Sequence, residues 1–295
     1  MQRLRLTEER APLRLTIVTH LGGDSGLVVL NNILKVLDPL CDKLLVASEC
    51  DLQDTDGKIE AVCIPVRSGG GLVSKAVNCL LREIQLSWHA SRTICRSDVF
   101  VVVGTALVLP TILAKLCGKK VLLVSIGSPS RSSRELYGGT LLGMGRFLFP
   151  TIFRTLETLN YILADRIVVH SKRIAEEDSL KRYSNKLCIA HEHFIDFNLF
   201  NVRKKIEDRK NLVGYIGRLT EEKGILSFVE SISSMLEMRR DITFLIGGDG
   251  YLSTKIRKYL NEKNIENRVE LTGWIPHDRL PDYLNELKLL VLPSY

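Results

Sequence analysis

The segment GYIGRLTEEKG places two cations, Arg218 and Lys223, at the ends of a short polar loop. An apolar run stops at Gly217 just ahead of them, and after Gly224 the apolar residues take up helical spacing. In a parallel sheet that order sets both side chains at the carboxyl end of a strand, where such sheets bind ligands, beside the start of a helix. The chemistry implied is anion binding. A forked guanidinium, a point-charge ammonium and unpaired helix N–H groups together suit a diphosphate. A solvated basic loop is the plain alternative for the same residues.

Other groups are weaker candidates. In HLGGDSG, Gly22 and Gly23 follow the end of a first strand, and the missing Cβ lets another group approach the backbone closely. Gly-Gly turns after strands also occur for structural reasons alone. His191 and His193, in HEH, fall on one face of an extended segment as a metal pair would, but the sequence places no third ligand, and no metal site is expected. His20 and His170 close strands and read first as hydrogen-bonded structural histidines.

The elements that must position these groups alternate from the start. LRLTIVT is a first strand and LVVLNNILKVL a helix. KLLVAS and IEAVCIPV are strands, and a helix covers residues 72–96 after Gly69 to Gly71. DVFVVVG, LVLPTILAKLCG and KKVLLVSIG continue as strand, helix and strand. A long helical stretch then runs to Leu163, and ADRIVVHS and NKLCIAHEHF are strands. The charged run NVRKKIEDRKN reads as a linker, dividing a domain at 1–200 from one at 201–295. The pattern restarts after it with four strands and three helices. Both halves read as doubly wound α/β units. The last apolar run, ELKLLVLPSY, is then the fourth strand of an order 3-2-1-4-5-6, its outer neighbours expected beyond Tyr295.

Of the 295 residues 45% are apolar and 25% charged, an ordinary globular composition. Five of the seven excess positive charges fall in residues 1–200. That modest excess suits an anionic small ligand or an anionic membrane surface. Aromatic and basic residues are not interleaved as in stacking sites for nucleic acid, which is excluded as a partner. Most of the seven cysteines have apolar neighbours and read as small buried hydrophobes in a reducing cytoplasm. No stretch reaches the ~20 apolar residues of a membrane-spanning helix. The segment LLGMGRFLFPTIFR, Leu141 to Arg154, reads as a core helix pair split by Pro150, or as an amphipathic contact with a membrane surface or acceptor-side lid.

Three segments occur in order over residues 212–295: GYIGRLTEEKGILSFVESI, FLIGGDGYLSTKI and VELTGWIPHDRLPDYLNELKLLVLPSY. They resemble the second domain of retaining GT-B glycosyltransferases of family 4, the glycosyl transferases group 1 domain. LADRIVVHSK and HFIDFNLF are similar to segments that close the first domain of that family. The resemblance implies two Rossmann-like doubly wound domains, the second incomplete. It implies transfer of a sugar, with retention and without a metal or other cofactor, from a nucleotide-diphosphate sugar to a hydroxyl of a glycan or lipid-linked acceptor. Arg218 and Lys223 would hold the diphosphate, with Gly22 and Gly23 approaching it from the first domain. Trp274 and Ile275 would lie against the base, and Gly248 and Gly250 would shape the same wall. Catalysis would be electrostatic, through stabilisation of the leaving diphosphate, with no catalytic side chain assigned.

Three departures stand out. VSIGSPS lacks a histidine found there in many members, so Ser125 or Ser128 substitutes or the contact is missing. HFID replaces NGVD. The family's Glu-x7-Glu segment would follow Tyr295. Two rival readings therefore stay open: a non-catalytic truncated form that binds nucleotide weakly, and a Rossmann-type regulatory nucleotide-binding protein. The expected location is cytoplasmic, with the membrane surface as an option.

Overall fold

The structure, a computed structural model, describes residues 12–52, 57–64, 72–130, 145–177, 180–190 and 195–294. The chain forms two units, Met1–Phe194 and Ile195–Tyr295, each built on its own parallel sheet.

Unit 1 has seven strands: β1 (Arg14–Thr19), β2 (Lys43–Ser48), β3 (Ile59–Cys63), β4 (Val99–Val103), β5 (Lys120–Ser125), β6 (Arg166–Val169) and β7 (Leu187–Ile189). Their order is β3-β2-β1-β4-β5-β6-β7. The central strands are continuous apolar runs because both faces are covered. Leu15, Ile17, Val101 and Val103 pack under α1 (Gly23–Leu37). Val18, Phe100 and Val102 pack under α2 (Leu72–Ile94), α3 (Val108–Leu116) and α4 (Gly145–Leu163). A short α5 (Lys172–Glu177) follows β6. The strand order reverses between β1 and β4, so the crevice beyond their carboxyl ends is where such a sheet takes a ligand.

Unit 2 has β8 (Leu212–Ile216), β9 (Thr243–Gly247), β10 (Val269–Gly273) and β11 (Leu289–Leu290), in the order β10-β9-β8-β11. Helices α6 (Ile225–Met238), α7 (Ser253–Glu262) and α8 (Leu280–Glu286) cover it. Tyr215, Phe228 and Phe244 meet in its core, Tyr215 stacked on Phe228 at 6.0 Å. The last apolar run forms the edge strand β11, which pairs with Val213 and Gly214 and leaves Leu289 and Leu290 exposed.

Two expectations are corrected, and the run 201–211 is anchored on unit 2. Asn285 Oδ1 accepts Arg203 N–H at 2.8 Å, and the Arg209 guanidinium donates to the Leu284 and Leu287 carbonyls at the end of α8. The cations that make it look like a linker are the groups that dock it. Pro150 does not split a helix pair but lies inside one helix, where it removes a single i→i−4 bond. Of the described cysteines, Cys41 and Cys50 are buried, whereas Cys63, Cys95, Cys117 and Cys188 are exposed on edge strands and helix ends. Apolar sequence neighbours do not bury a residue at such places.

Candidate functional site

At the carboxyl edge of the unit 2 sheet, main chain holds main chain. Gly217 N–H donates to the Gly247 carbonyl (2.9 Å), Leu219 N–H to that of Asp249 (2.9 Å) and Gly248 N–H to that of Gly273 (2.7 Å). The loops after β8, β9 and β10 are thereby laced together. Glycine is required at the crossings. Gly248 has φ +125°, and a Cβ there would collide with the Gly217 carbonyl; a Cβ on Gly250 would meet the Leu219 backbone. A cavity of about 60 Å³ lies among Leu219, Gly248, Asp249, Ser253 and Gly273. Hydrogen bonds from Gly250 N–H (2.7 Å) and Ser253 Oγ (2.9 Å) hold the Asp249 carboxyl below the usual carboxylate value.

Arg218 rides on this frame. The buried Tyr215 hydroxyl donates to the Arg218 carbonyl at 2.7 Å. Burial, reinforced by the Glu222 charge, pushes the Tyr215 phenol up to about 12. The Arg218 guanidinium is exposed and ion-paired with Glu222 at 3.3 Å. Partial burial opposes charge on Glu222, but hydrogen-bond donors and the Arg218 and Lys223 cations outweigh it and lower its pKa. Lys223 is half-buried at the end of a 3-10 turn, Glu221–Lys223. Gly224 follows with φ +64° and turns the chain into α6. The Tyr251 hydroxyl accepts Glu221 N–H at 3.2 Å and pins the turn from the β9 loop. Trp274 is exposed just past β10, while Ile275 is buried against Gly247 and can offer a ligand only its main chain.

At the equivalent edge of unit 1 side chains do the holding. Glu49, just past β2, is buried and pairs with Arg82 Nη1 at 2.7 Å. Glu83 Oε1 accepts the N–H groups of Val108 (2.6 Å) and Leu109 (2.9 Å), so α2 caps the start of α3. Glu157 on α4 is fully buried and accepts Ser128 Oγ (2.9 Å), Ser130 N–H (3.1 Å) and Ser130 Oγ (2.7 Å). Gly22 precedes α1, and a Cβ on it would lie 2.8 Å from Glu49 Oε2; Gly23 has φ +67° with open space beside it.

His20, Arg82, Glu83, Leu107, Pro129 and Phe153 line a cavity of about 240 Å³. His20 is not the hydrogen-bonded structural histidine expected. Its ring sits against Gly104 (φ +114°), where any Cβ would collide with it. Its Nδ1 is buried with no hydrogen-bond partner among the described residues. Burial, then the Arg82 charge, lowers its pKa and keeps the ring neutral near pH 7. Of the two serines offered in place of a histidine, Ser125 is fully buried and the Ser128 hydroxyl is engaged by Glu157. His191 and His193 lie outside the described residues, as do Leu141 to Met144. Among the described residues no three His, Cys, Asp or Glu side chains group as metal ligands, and no helix is long and apolar enough to cross a membrane.

The structure thus brings Arg218, Lys223, Gly248, Gly250, Trp274 and Ile275 to one loop cluster, and Gly22 and Gly23 to the loop edge of the other unit. Sequence reasoning missed Glu49, Arg82, Glu83 and Glu157. Only Glu49 had a signal, a charge directly after a buried strand.

Residues 196–295 match the family model described as Glycosyl transferases group 1. Alpha-D-kanosaminyltransferase of Streptomyces kanamyceticus is 28% identical over 138 residues, which are 45% of this chain and 36% of that protein. The 2-deoxystreptamine N-acetyl-D-glucosaminyltransferase of Niallia circulans is 28% identical over 137 residues, 45% of this chain and 35% of that protein. The matches span about a third of these relatives' length. The crystal structure of Anabaena Alr3699/HepE in complex with UDP and glucose superposes with a TM-score of 0.67 at 13% identity, covering 96% of this chain and 74% of that one. That of WaaG, a glycosyltransferase involved in lipopolysaccharide biosynthesis, gives 0.66 at 12%, covering 96% and 75%.

Proposed function

We propose that this chain, of GT-B fold and with a glycosyl transferases group 1 domain as its second unit, transfers a sugar from a nucleotide-diphosphate donor to an acceptor hydroxyl. The observation that carries the reading is the laced loop cluster of unit 2, which sits inside the family match and presents Arg218 and Lys223 on a rigid frame. A diphosphate leaving group gains charge as the sugar departs. A guanidinium, an ammonium and the start of α6 are the groups that would stabilise that charge without a metal. Trp274 supplies an exposed aromatic face for a base. Retention of configuration follows if the acceptor attacks on the face the diphosphate leaves, where a phosphate oxygen can take its proton.

The acceptor side is assigned to unit 1. The apolar wall of Leu107, Pro129 and Phe153 suits the face of a sugar ring, and the neutral His20 can exchange a hydrogen bond with a hydroxyl. A glycan or the sugar end of a lipid-linked glycan meets that description.

The test is calorimetric titration of UDP and GDP into the chain and into Arg218→Ala and Lys223→Ala. Each substitution should weaken diphosphate binding about tenfold or more, the worth of one charge-assisted hydrogen bond. Unchanged affinity in both would overturn the assignment. Release of sugar from the bound donor to a soluble glycan separates a transferase from a protein that only binds nucleotide.

A further inference from the structure

The loop that presents Arg218 and Lys223 carries as many acids as bases. Glu221 and Glu222 stand between the two cations, so residues 217–224 have no net charge. A loop that served only to attract a diphosphate would omit those acids. Their settings differ. Glu221 is exposed, whereas Glu222 is half-buried and sets its carboxylate on the Arg218 guanidinium, Oε1 to Nη2, at 3.3 Å.

This pair is not a by-product of helical spacing. Partners four residues apart meet on an α-helix, but Arg218 precedes the 3-10 turn and α6 begins only at Ile225. The main chain brings the two together. The Arg218 carbonyl accepts both the Tyr215 hydroxyl (2.7 Å) and Thr220 N–H (3.0 Å). Lys223 N–H then donates to the Thr220 carbonyl (3.2 Å) and Gly224 N–H to that of Glu221 (2.8 Å). Gly224 is also held from outside the loop, since a Cβ on it would collide with the Pro293 carbonyl. Burial opposes charge on Glu222, yet the donors around it and the Arg218 and Lys223 cations hold its pKa below the usual carboxylate value. At neutral pH the guanidinium therefore already has an anion beside it.

We propose that Glu222 fills the anion position at Arg218 when no ligand is bound, and yields it to a nucleoside diphosphate. This rests on the diphosphate reading of Arg218 and Lys223. Carboxylate and phosphate then compete for one guanidinium, so Glu222 sets how tightly the diphosphate is held. The competition matters most after transfer. The bond from the sugar to the diphosphate breaks and its electron pair stays on the phosphate oxygen; the acceptor oxygen takes the sugar and gives up its proton. The spent diphosphate has thereby gained negative charge, and two cations alone would grip it more firmly than the donor. An internal carboxylate that reclaims Arg218 offsets that grip and lets the product leave.

The test is calorimetric titration of UDP and GDP into the full chain, Glu222→Gln, Glu221→Gln, Arg218→Ala, and Arg218→Ala combined with Glu222→Gln. Glu222→Gln keeps the side chain's shape and removes its charge. It should tighten whichever diphosphate the chain binds about threefold to fivefold, the worth of an exposed ion pair, with an unchanged melting curve. Glu221→Gln removes the same charge one residue away and should leave the affinity unchanged. In the Arg218→Ala background the gain should vanish, because no guanidinium is left to contest. Unchanged or weaker diphosphate binding by Glu222→Gln overturns the inference. So does a gain that persists without Arg218 or is matched by Glu221→Gln. Should Arg218→Ala and Lys223→Ala weaken binding while Glu222→Gln is neutral, the diphosphate reading stands and this inference alone falls. Should the chain and its variants bind neither UDP nor GDP, both fall.

Discussion

At the carboxyl edge of unit 2 the loops are tied main chain to main chain, Gly217 to Gly247 and Gly248 to Gly273. At the same edge of unit 1 they are tied through carboxylates, Glu49 to Arg82, Glu83 to the start of α3, and Glu157 to Ser128 and Ser130. The strand order around both edges is the same, third-second-first-fourth. Main-chain ties demand glycine where backbones cross but leave side chains for a ligand, and there Arg218, Lys223 and Trp274 are what remains. Carboxylate ties consume side chains and need burial, and they wall off a cavity instead.

The largest way to break this contrast is Gly248→Ala. It adds left-handed strain to a collision with Gly217, and should destabilise unit 2 by about 3–5 kcal/mol. Urea unfolding followed by Trp274 fluorescence reads it. A loss under about 1 kcal/mol, the size of an ordinary substitution, would mean the loops can part without consequence. On the other side, Glu157→Ala removes the buried carboxylate that accepts from Ser128 and Ser130 and should cost unit 1 about 2–3 kcal/mol. Its melting transition should fall while UDP affinity stays the same; a parallel fall in affinity would show that the two edges are not independent.

The smallest effects separate the units by pH. An unfolded histidine takes up its proton near 6.5, whereas folded His20 resists until lower pH. Unit 1 stability should therefore be intact above 6.5 and decline as pH falls through and below it. Tyr215 behaves in the opposite sense. Its unfolded phenol ionises near 10 and its folded one near 12, so unit 2 should weaken as pH rises between those values. Denaturant titrations near pH 5.5, 7.5 and 11 check both. His20→Gln should flatten the acid slope and Tyr215→Phe the alkaline one; slopes that survive belong to other groups.

The unit 2 edge was legible in the sequence and the unit 1 edge largely was not, for the same physical reason. A glycine at a backbone crossing has to stand beside its strand, so Gly217, Gly248 and Gly250 appear as local spacing. The carboxylate ties join residues such as Glu83 and Val108, or Glu157 and Ser130, that are distant in sequence and individually unremarkable on helices. His20 was misread because nothing local announces that its Nδ1 finds no partner among the described residues. The strands and helices themselves were largely legible, since continuous apolar runs and Gly-terminated helices are local signals. The docking of 201–211 was not, because Arg203 and Arg209 look the same solvated or bound.

The lacing of unit 2 has a consequence for how such a protein diverges. Hydrogen bonds between the Gly217, Gly247, Leu219 and Asp249 backbones do not depend on what positions 218 or 274 carry as side chains. Those positions can change while the wall that displays them stays put. The glycines are the fixed alphabet of the site and its neighbours the variable text. A library randomised at those two positions should remain mostly folded, whereas one randomised at Gly248 should not.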